Sequence, residues 1–205
     1  MKRINLLTRI YAFLFCLLVL CLLLVIDTQK EGEELADKVI RLHILADSDR
    51  EDAQRLKLLV RDAVLKELPC VLDGCKSPAE ASALLQGNLN KIKQTAETVL
   101  KENNCFLPVS AALQNEIFDQ RDYDGFSLPA GEYQALRLVI GEGKGHNWWC
   151  VVFPPLCLTS AIKDDETVLA VLDENELNFI TTDKYVIKFK ILDLIAQIKK
   201  KLDAI

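Results

Sequence analysis

Seventeen consecutive apolar residues, Ile10 to Ile26, open this chain before any other folding signal is met. As a helix they extend about 26 Å at ~1.5 Å per residue, close to the roughly 30 Å of a bilayer's hydrocarbon core. Counting from Ile4 makes the span comfortable. No polar face interrupts the run, so it does not read as the half-buried helix of a water-soluble core. Lys2, Arg3 and Arg9 precede it, and Asp27, Glu31, Glu33 and Glu34 follow. The positive-inside bias therefore places residue 27 onward outside the cytoplasm. A cleaved leader has an apolar core of roughly 7 to 15 residues and a small-x-small site. This run is longer, and Asp27-Thr28-Gln29-Lys30-Glu31 offers no such site. Residues 1–26 are thus read as a transmembrane signal-anchor in preference to a signal peptide, with membrane contact through residues 4–26.

The rest of the 205-residue chain must be weighed by itself, because the apolar run inflates the overall composition. The formal charge of the whole is -5, and it becomes -8 once the three leading basic residues are set aside. An acidic domain is repelled by phosphate backbones, so nucleic acid is not expected as a partner. Only 8 Gly and 6 Pro occur, without low-complexity tracts, so this part should fold.

Residues 27–37 read as a polar spacer and 38–205 as one exported α+β domain with a mainly antiparallel sheet covered by helices. Val39 to Leu45 alternates, with Ile40, Leu42 and Ile44 on one face, and predicts a first strand. Ser48 followed by Glu51 has capping-box spacing. The apolar residues Ala53, Leu56, Val60, Ala63 and Val64 then predict a helix ending before Pro69. Ser77-Pro78-Ala79-Glu80 starts a second helix, expected to run to about Asn103. Leu107 to Phe118, Tyr133 to Ile140 and Trp148 to Phe153 predict antiparallel strands. Residues 163–176 are acidic and ambiguous, Tyr185 to Ile191 alternates as a last strand, and Leu192 to Leu202 suggests a terminal helix.

The constellations that could carry chemistry are weak. Gly141-Glu142-Gly143-Lys144-Gly145 lacks phosphate-loop spacing and precedes strand-like residues, so it reads as a strand connection with positive φ at its glycines. Asp47-Ser48-Asp49-Arg50-Glu51 fails as a calcium loop, because Asp52 stands where Gly is needed and Leu58 where a bidentate Glu is needed. His43 and His146 are the only histidines. His146, Asn147 and Cys150 superficially assemble an imidazole, an amide and a thiol, but neighbours on one strand point to opposite faces. No catalytic, cofactor or metal site is therefore assigned.

Five cysteines, Cys70, Cys75, Cys105, Cys150 and Cys157, lie beyond the membrane run. Export permits disulfides, and an odd number leaves the pairing open. The local pairs Cys70 with Cys75 and Cys150 with Cys157 are the simplest, the second worth about 2.5 kcal/mol on the chain-entropy argument. Trp148 and Trp149 are the only tryptophans, and on a strand they must face opposite ways, so that one can anchor the core and the other be presented to a partner.

The stretch Ser127-Leu128-Pro129-Ala130-Gly131-Glu132-Tyr133-Gln134-Ala135-Leu136-Arg137, with Gly141 to Gly145 and His146-Asn147-Trp148-Trp149-Cys150-Val151-Val152-Phe153-Pro154-Pro155-Leu156-Cys157, resembles the stage II sporulation protein R family. The resemblance extends upstream through Arg41-Leu42-His43-Ile44-Leu45-Ala46-Asp47-Ser48-Asp49 to Val60-Arg61-Asp62-Ala63-Val64, covering roughly residues 38 to 158. The family's loop usually reads Ala-Asn-Ser-Asp, from which Asp47 departs.

The resemblance implies a non-enzymatic signalling protein of endospore formation, located at the forespore membrane or in the space between forespore and mother cell. It implies activation of a membrane-embedded aspartic peptidase that processes the sigma-E precursor in the mother cell. On this reading Asn147, Trp148 and Trp149 are the expected contact with the peptidase, with Arg41 and His43 as further candidates. The competing expectation is an exported cell-wall hydrolase using Cys150 or acidic residues.

Overall fold

The computed structural model describes residues 6–156, 165–181 and 186–202. The apolar run does not end in a spacer. Helix α1 is continuous over Leu6–Lys38, 33 residues, or about 50 Å. Its apolar part is exposed and long enough to cross a membrane by length and composition. Thr28, Leu35 and Ala36 are buried near its other end, with Val39 just beyond it, a helical spacing that places one face on the domain. Residues 27–37 are polar on the remaining faces only, which is why the sequence suggested a spacer.

The α+β class expected from the sequence is what the chain adopts. Four strands, β1 (Ile40–Leu45), β2 (Val109–Phe118), β5 (Gly131–Ile140) and β6 (Asn147–Phe153), form a sheet in the order β2-β5-β1-β6. Neighbours are antiparallel except the central pair β1 and β5, which is parallel. A hairpin of β3 (Arg121–Tyr123) and β4 (Phe126–Leu128) stands apart, its turn closed by the stacked rings of Tyr123 and Phe126.

Helices α2 (Glu51–Val71) and α3 (Pro78–Glu102) cover one face of the sheet. Leu56, Val60, Val64 and Leu68 of α2 recur every four residues and meet Leu85, Ile92 and Leu100 of α3 over Leu42, Ile44, Leu136 and Leu138. The capping expectation holds for α3, where Ser77 Oγ accepts from Glu80 N at 3.3 Å and Glu80 Oε2 from Lys76 N at 2.9 Å. It fails for α2, whose cap is Arg50 without a side-chain hydrogen bond. The Ser48 carbonyl accepts instead from Gln54 Nε2 at 2.9 Å. Nor does α2 end before Pro69: it continues to Val71 because burying Leu68 and Val71 outweighs one missing backbone donor.

The second face is covered by the end of α1 and by α4 (Glu166–Val171), α5 (Glu174–Thr181) and α6 (Val186–Leu202). The expected last strand over residues 185–191 is corrected here. From Val186 the chain is helical, and its buried residues Phe189, Leu192 and Ala196 follow spacings of three and four; Tyr185 lies outside the described residues. The alternation of Lys188, Phe189, Lys190 and Ile191 imitated a strand over too short a window for the period to be decided.

Candidate functional site: the Trp148–Trp149 strand and the charged face behind it

Strand β6 is an edge of the sheet, and its two tryptophans divide between the faces as alternation requires. Trp148 packs against the α2 and α3 cluster, with the Arg61 guanidinium carbon 5.0 Å from its ring centroid. Trp149 lies on the opposite face, stacked on His43 with centroids 5.6 Å apart and planes 17° from parallel. The Arg121 guanidinium, from the β3–β4 hairpin, lies 3.7 Å from the Trp149 centroid. Both indoles, and Asn147 at the start of the strand, are half-buried, so neither ring stands free in solvent.

Behind Trp149 is a charged layer that sequence reasoning largely missed. His43 Nδ1 is 2.6 Å from Glu116 Oε2. Arg137 Nε lies 3.2 Å from Glu116 Oε1, as an ion pair without hydrogen-bond alignment. Burial raises the Glu116 carboxyl pKa, but the His43 hydrogen bond and charge, Gln114 and Arg137 outweigh it, so the net shift is downward. His43 Nε2 is buried without a hydrogen-bond partner among the described residues.

Arg41 is fully buried. Its guanidinium carbon is 4.0 Å from the Phe118 centroid and 4.9 Å from that of Tyr133, and Nη2 donates to the Tyr123 hydroxyl at 2.8 Å. A residue with no exposed surface does not touch a partner, so Arg41 is corrected from contact candidate to an organiser of three aromatic rings. Burial also pushes the Tyr133 hydroxyl pKa upward, and that hydroxyl donates to the Pro129 carbonyl at 2.8 Å.

The two loop motifs of the sequence clasp each other at the far end of the sheet. Asp47 Oδ1 accepts from Glu142 N at 2.9 Å, and the Ala46 carbonyl accepts from Gly145 N at 2.9 Å. Gly141 and Gly143 adopt positive φ, as expected. An Asn at position 47 would offer the same carbonyl oxygen to Glu142, so the departure from Ala-Asn-Ser-Asp preserves the contact. Asp49 accepts from His146 N at 2.5 Å and also contacts the His146 ring; these bonds hold its carboxyl pKa below the ordinary range. Lys57, buried on α2, donates to the His146 carbonyl at 2.9 Å, and burial lowers its pKa.

This geometry does not assemble a thiol hydrolase. Cys150 is fully buried on the face under α2 and α3, whereas the His146 side chain is exposed and engaged with Asp49. Cys157 lies outside the described residues, and with it the expected Cys150–Cys157 pair. The other local pair is corrected: Cys70 is an exposed thiol, and Cys75 is a buried one that donates to the Ser77 carbonyl at 3.4 Å.

The fold and this surface define a helix-led α+β domain with an aromatic sheet edge, braced at one end by two clasping loops. The chain belongs to the stage II sporulation protein R family, whose model matches residues 36–163. It is 36% identical over 137 residues to stage II sporulation protein R of Bacillus subtilis (strain 168). That match covers 64% of this chain and 61% of the relative's own length. No solved structure matches.

Proposed function

We propose that this chain is an intercellular signal of endospore formation. Its domain, exported from the forespore, binds a membrane-embedded aspartic peptidase and drives the processing of the sigma-E precursor in the mother cell. Family membership is the observation that carries this reading. The long apolar helix α1 is consistent with a location at the forespore membrane or in the intermembrane space, with the amino terminus cytoplasmic. Activation requires the domain to bind the active arrangement of the peptidase more tightly than the resting one.

The proposed contact is Asn147, Trp148 and Trp149, with His43 and Arg121 holding the Trp149 ring in place. An aromatic ring pre-set by stacked neighbours loses little freedom on binding, which suits an interface anchor. The test is co-expression of the chain, the peptidase and the sigma precursor in a non-sporulating host, with precursor cleavage followed by gel. Cleavage that depends on the chain and is lost with Trp149→Ala, while circular dichroism shows a folded domain, supports the reading. Absence of cleavage with all three proteins folded and the peptidase independently competent overturns it.

A further inference from the structure

Helix α6 lies beyond the residues matched by the family model and carries an apolar stripe that is exposed among the described residues. Leu194, Ile198 and Leu202 recur every four residues and are 59%, 51% and 65% exposed. The opposite side of the helix, Phe189, Leu192 and Ala196, is buried against the domain. Lys190 and Lys201 are exposed on the outer side, and the last turn carries Lys199, Lys200 and Lys201.

The contacts of α6 place it beside α1, just past the apolar run. Lys188 Nζ lies 2.8 and 2.6 Å from the two carboxylate oxygens of Glu31 on α1, and Leu192 packs against Gly32. At 1.5 Å per residue these anchor points are about 7.5 and 9 Å beyond Ile26, the last residue of the apolar run. The headgroup layer on one side of a bilayer is roughly 5 to 8 Å thick, and a helix with its side chains has a radius of about 5 to 6 Å. From α1 the helix crosses the end of the sheet nearest the membrane: Lys199 pairs with Glu132 beside the start of β5, and Lys200 Nζ is 3.7 Å from Asp119 Oδ1 just past the end of β2. Its outer side, opposite the buried Phe189, Leu192 and Ala196, therefore points away from the strand ends.

We propose that α6 is a membrane-surface helix, resting on the lipid headgroup layer with Leu194, Ile198 and Leu202 inserted among the upper acyl carbons and Lys190 and Lys201 at the lipid phosphates. The arrangement is that of an interfacial amphipathic helix, in which apolar burial supplies binding and basic flanks hold it level with the headgroups. With α1 rigid into the domain, α6 gives the domain a second foothold and fixes its orientation over the membrane.

The test places the photoreactive residue p-benzoylphenylalanine singly at Leu194, Ile198, Leu18 or Leu84 of the full chain, reconstituted in phosphatidylglycerol–phosphatidylethanolamine vesicles. Lipid adducts are read by mass spectrometry. Leu18 reports on α1 within the bilayer, and Leu84, exposed on α3, reports on a surface remote from it. Adducts at Leu194 and Ile198 within tenfold of Leu18, and none at Leu84, support the proposal. Crosslinking to a second copy of the chain, or no adduct at Leu194 and Ile198 while Leu18 gives one, overturns it. Absence of an adduct at Leu18 overturns it as well, because α1 then does not hold the domain at the bilayer. No peptidase enters these readouts, so the result is independent of the proposed function.

Discussion

His43 Nδ1 on β1 and Glu116 Oε2 on β2 meet at 2.6 Å across the intervening strand β5. The pair is diagonal in register, His43 standing opposite Arg137 and Glu116 opposite Tyr133, and the residue midway between those two on β5 is the small, fully buried Ala135. The Glu116 carboxyl pKa is depressed in the folded state, so folding favours its ionised form. The stability this contributes is fully present above the unfolded carboxylate value of about 4.3 and is lost as pH falls through the lower folded value. Urea unfolding of the full chain between pH 6 and pH 3 is expected to show this loss. Glu116→Gln should lower stability at pH 6 and flatten the slope below pH 5; an unchanged slope would show that other carboxylates set it.

Gly141 has φ of +58°, and a Cβ there would overlap Asp47 Oδ1. Gly141→Ala is expected to cost about 1 to 3 kcal/mol, through backbone strain and loss of the Asp47 to Glu142 hydrogen bond. Asp47→Asn retains an acceptor at the same place and should shift the melting temperature little. Differential scanning calorimetry of both variants separates the loop clasp from the charge of Asp47.

Trp149→Phe keeps an aromatic ring for His43 and Arg121 to pack on but removes the indole's outer ring and N–H. The domain should remain folded, with precursor cleavage in the three-component assay reduced. Trp148→Phe, on the α2 and α3 face, should likewise reduce cleavage and in addition lower stability, by about 1 to 2 kcal/mol for a half-buried ring. Equal losses of cleavage and stability in both variants would assign the pair to the fold alone.

Gly32 lets α6 approach α1, since a Cβ there would come 3.0 Å from both Leu192 methyl carbons. Gly32→Ala is tolerable because Leu192 can turn aside. Gly32→Leu overpacks the contact by about 1 to 3 kcal/mol and should loosen α6. Limited proteolysis is expected to cut this variant faster after residue 181 than wild type, with the α2 and α3 half unaffected.

Cys70 is exposed, whereas Cys75 is buried and its thiol pKa is raised, burial being the main cause. Iodoacetamide under native conditions should alkylate Cys70 first and Cys75 only on unfolding, as read by peptide mass spectrometry. Equal protection of both until a reductant is added would instead demonstrate a disulfide between them.

The elements read correctly from the sequence are those whose period persists. Leu56, Val60, Val64 and Leu68 repeat over about three turns, Ser77 to Glu80 supplies its own cap, and Ile40, Leu42 and Ile44 alternate on a strand that is central in the sheet. The division of Trp148 and Trp149 between faces was legible for the same reason. Arg41 was misread because nothing within its own strand shows that Phe118, Tyr123 and Tyr133 will enclose it. Glu116, Arg121 and Arg137 carried no local signal, being drawn to His43 and Trp149 by strand order and by the hairpin.

By itself the sequence determined the apolar span, the α+β class and the family, because hydrophobic length, periodicity and linear motifs are properties of neighbouring residues. Tertiary structure alone decided that α1 runs unbroken into the domain, that residues 186–191 are helical, and that His43, Glu116, Arg121 and Trp149 form one layer. These outcomes depend on burial against partners distant in the chain. Lys188 meets Glu31 across 157 residues, and the free energy of such contacts selects between local conformations that are nearly equal in propensity.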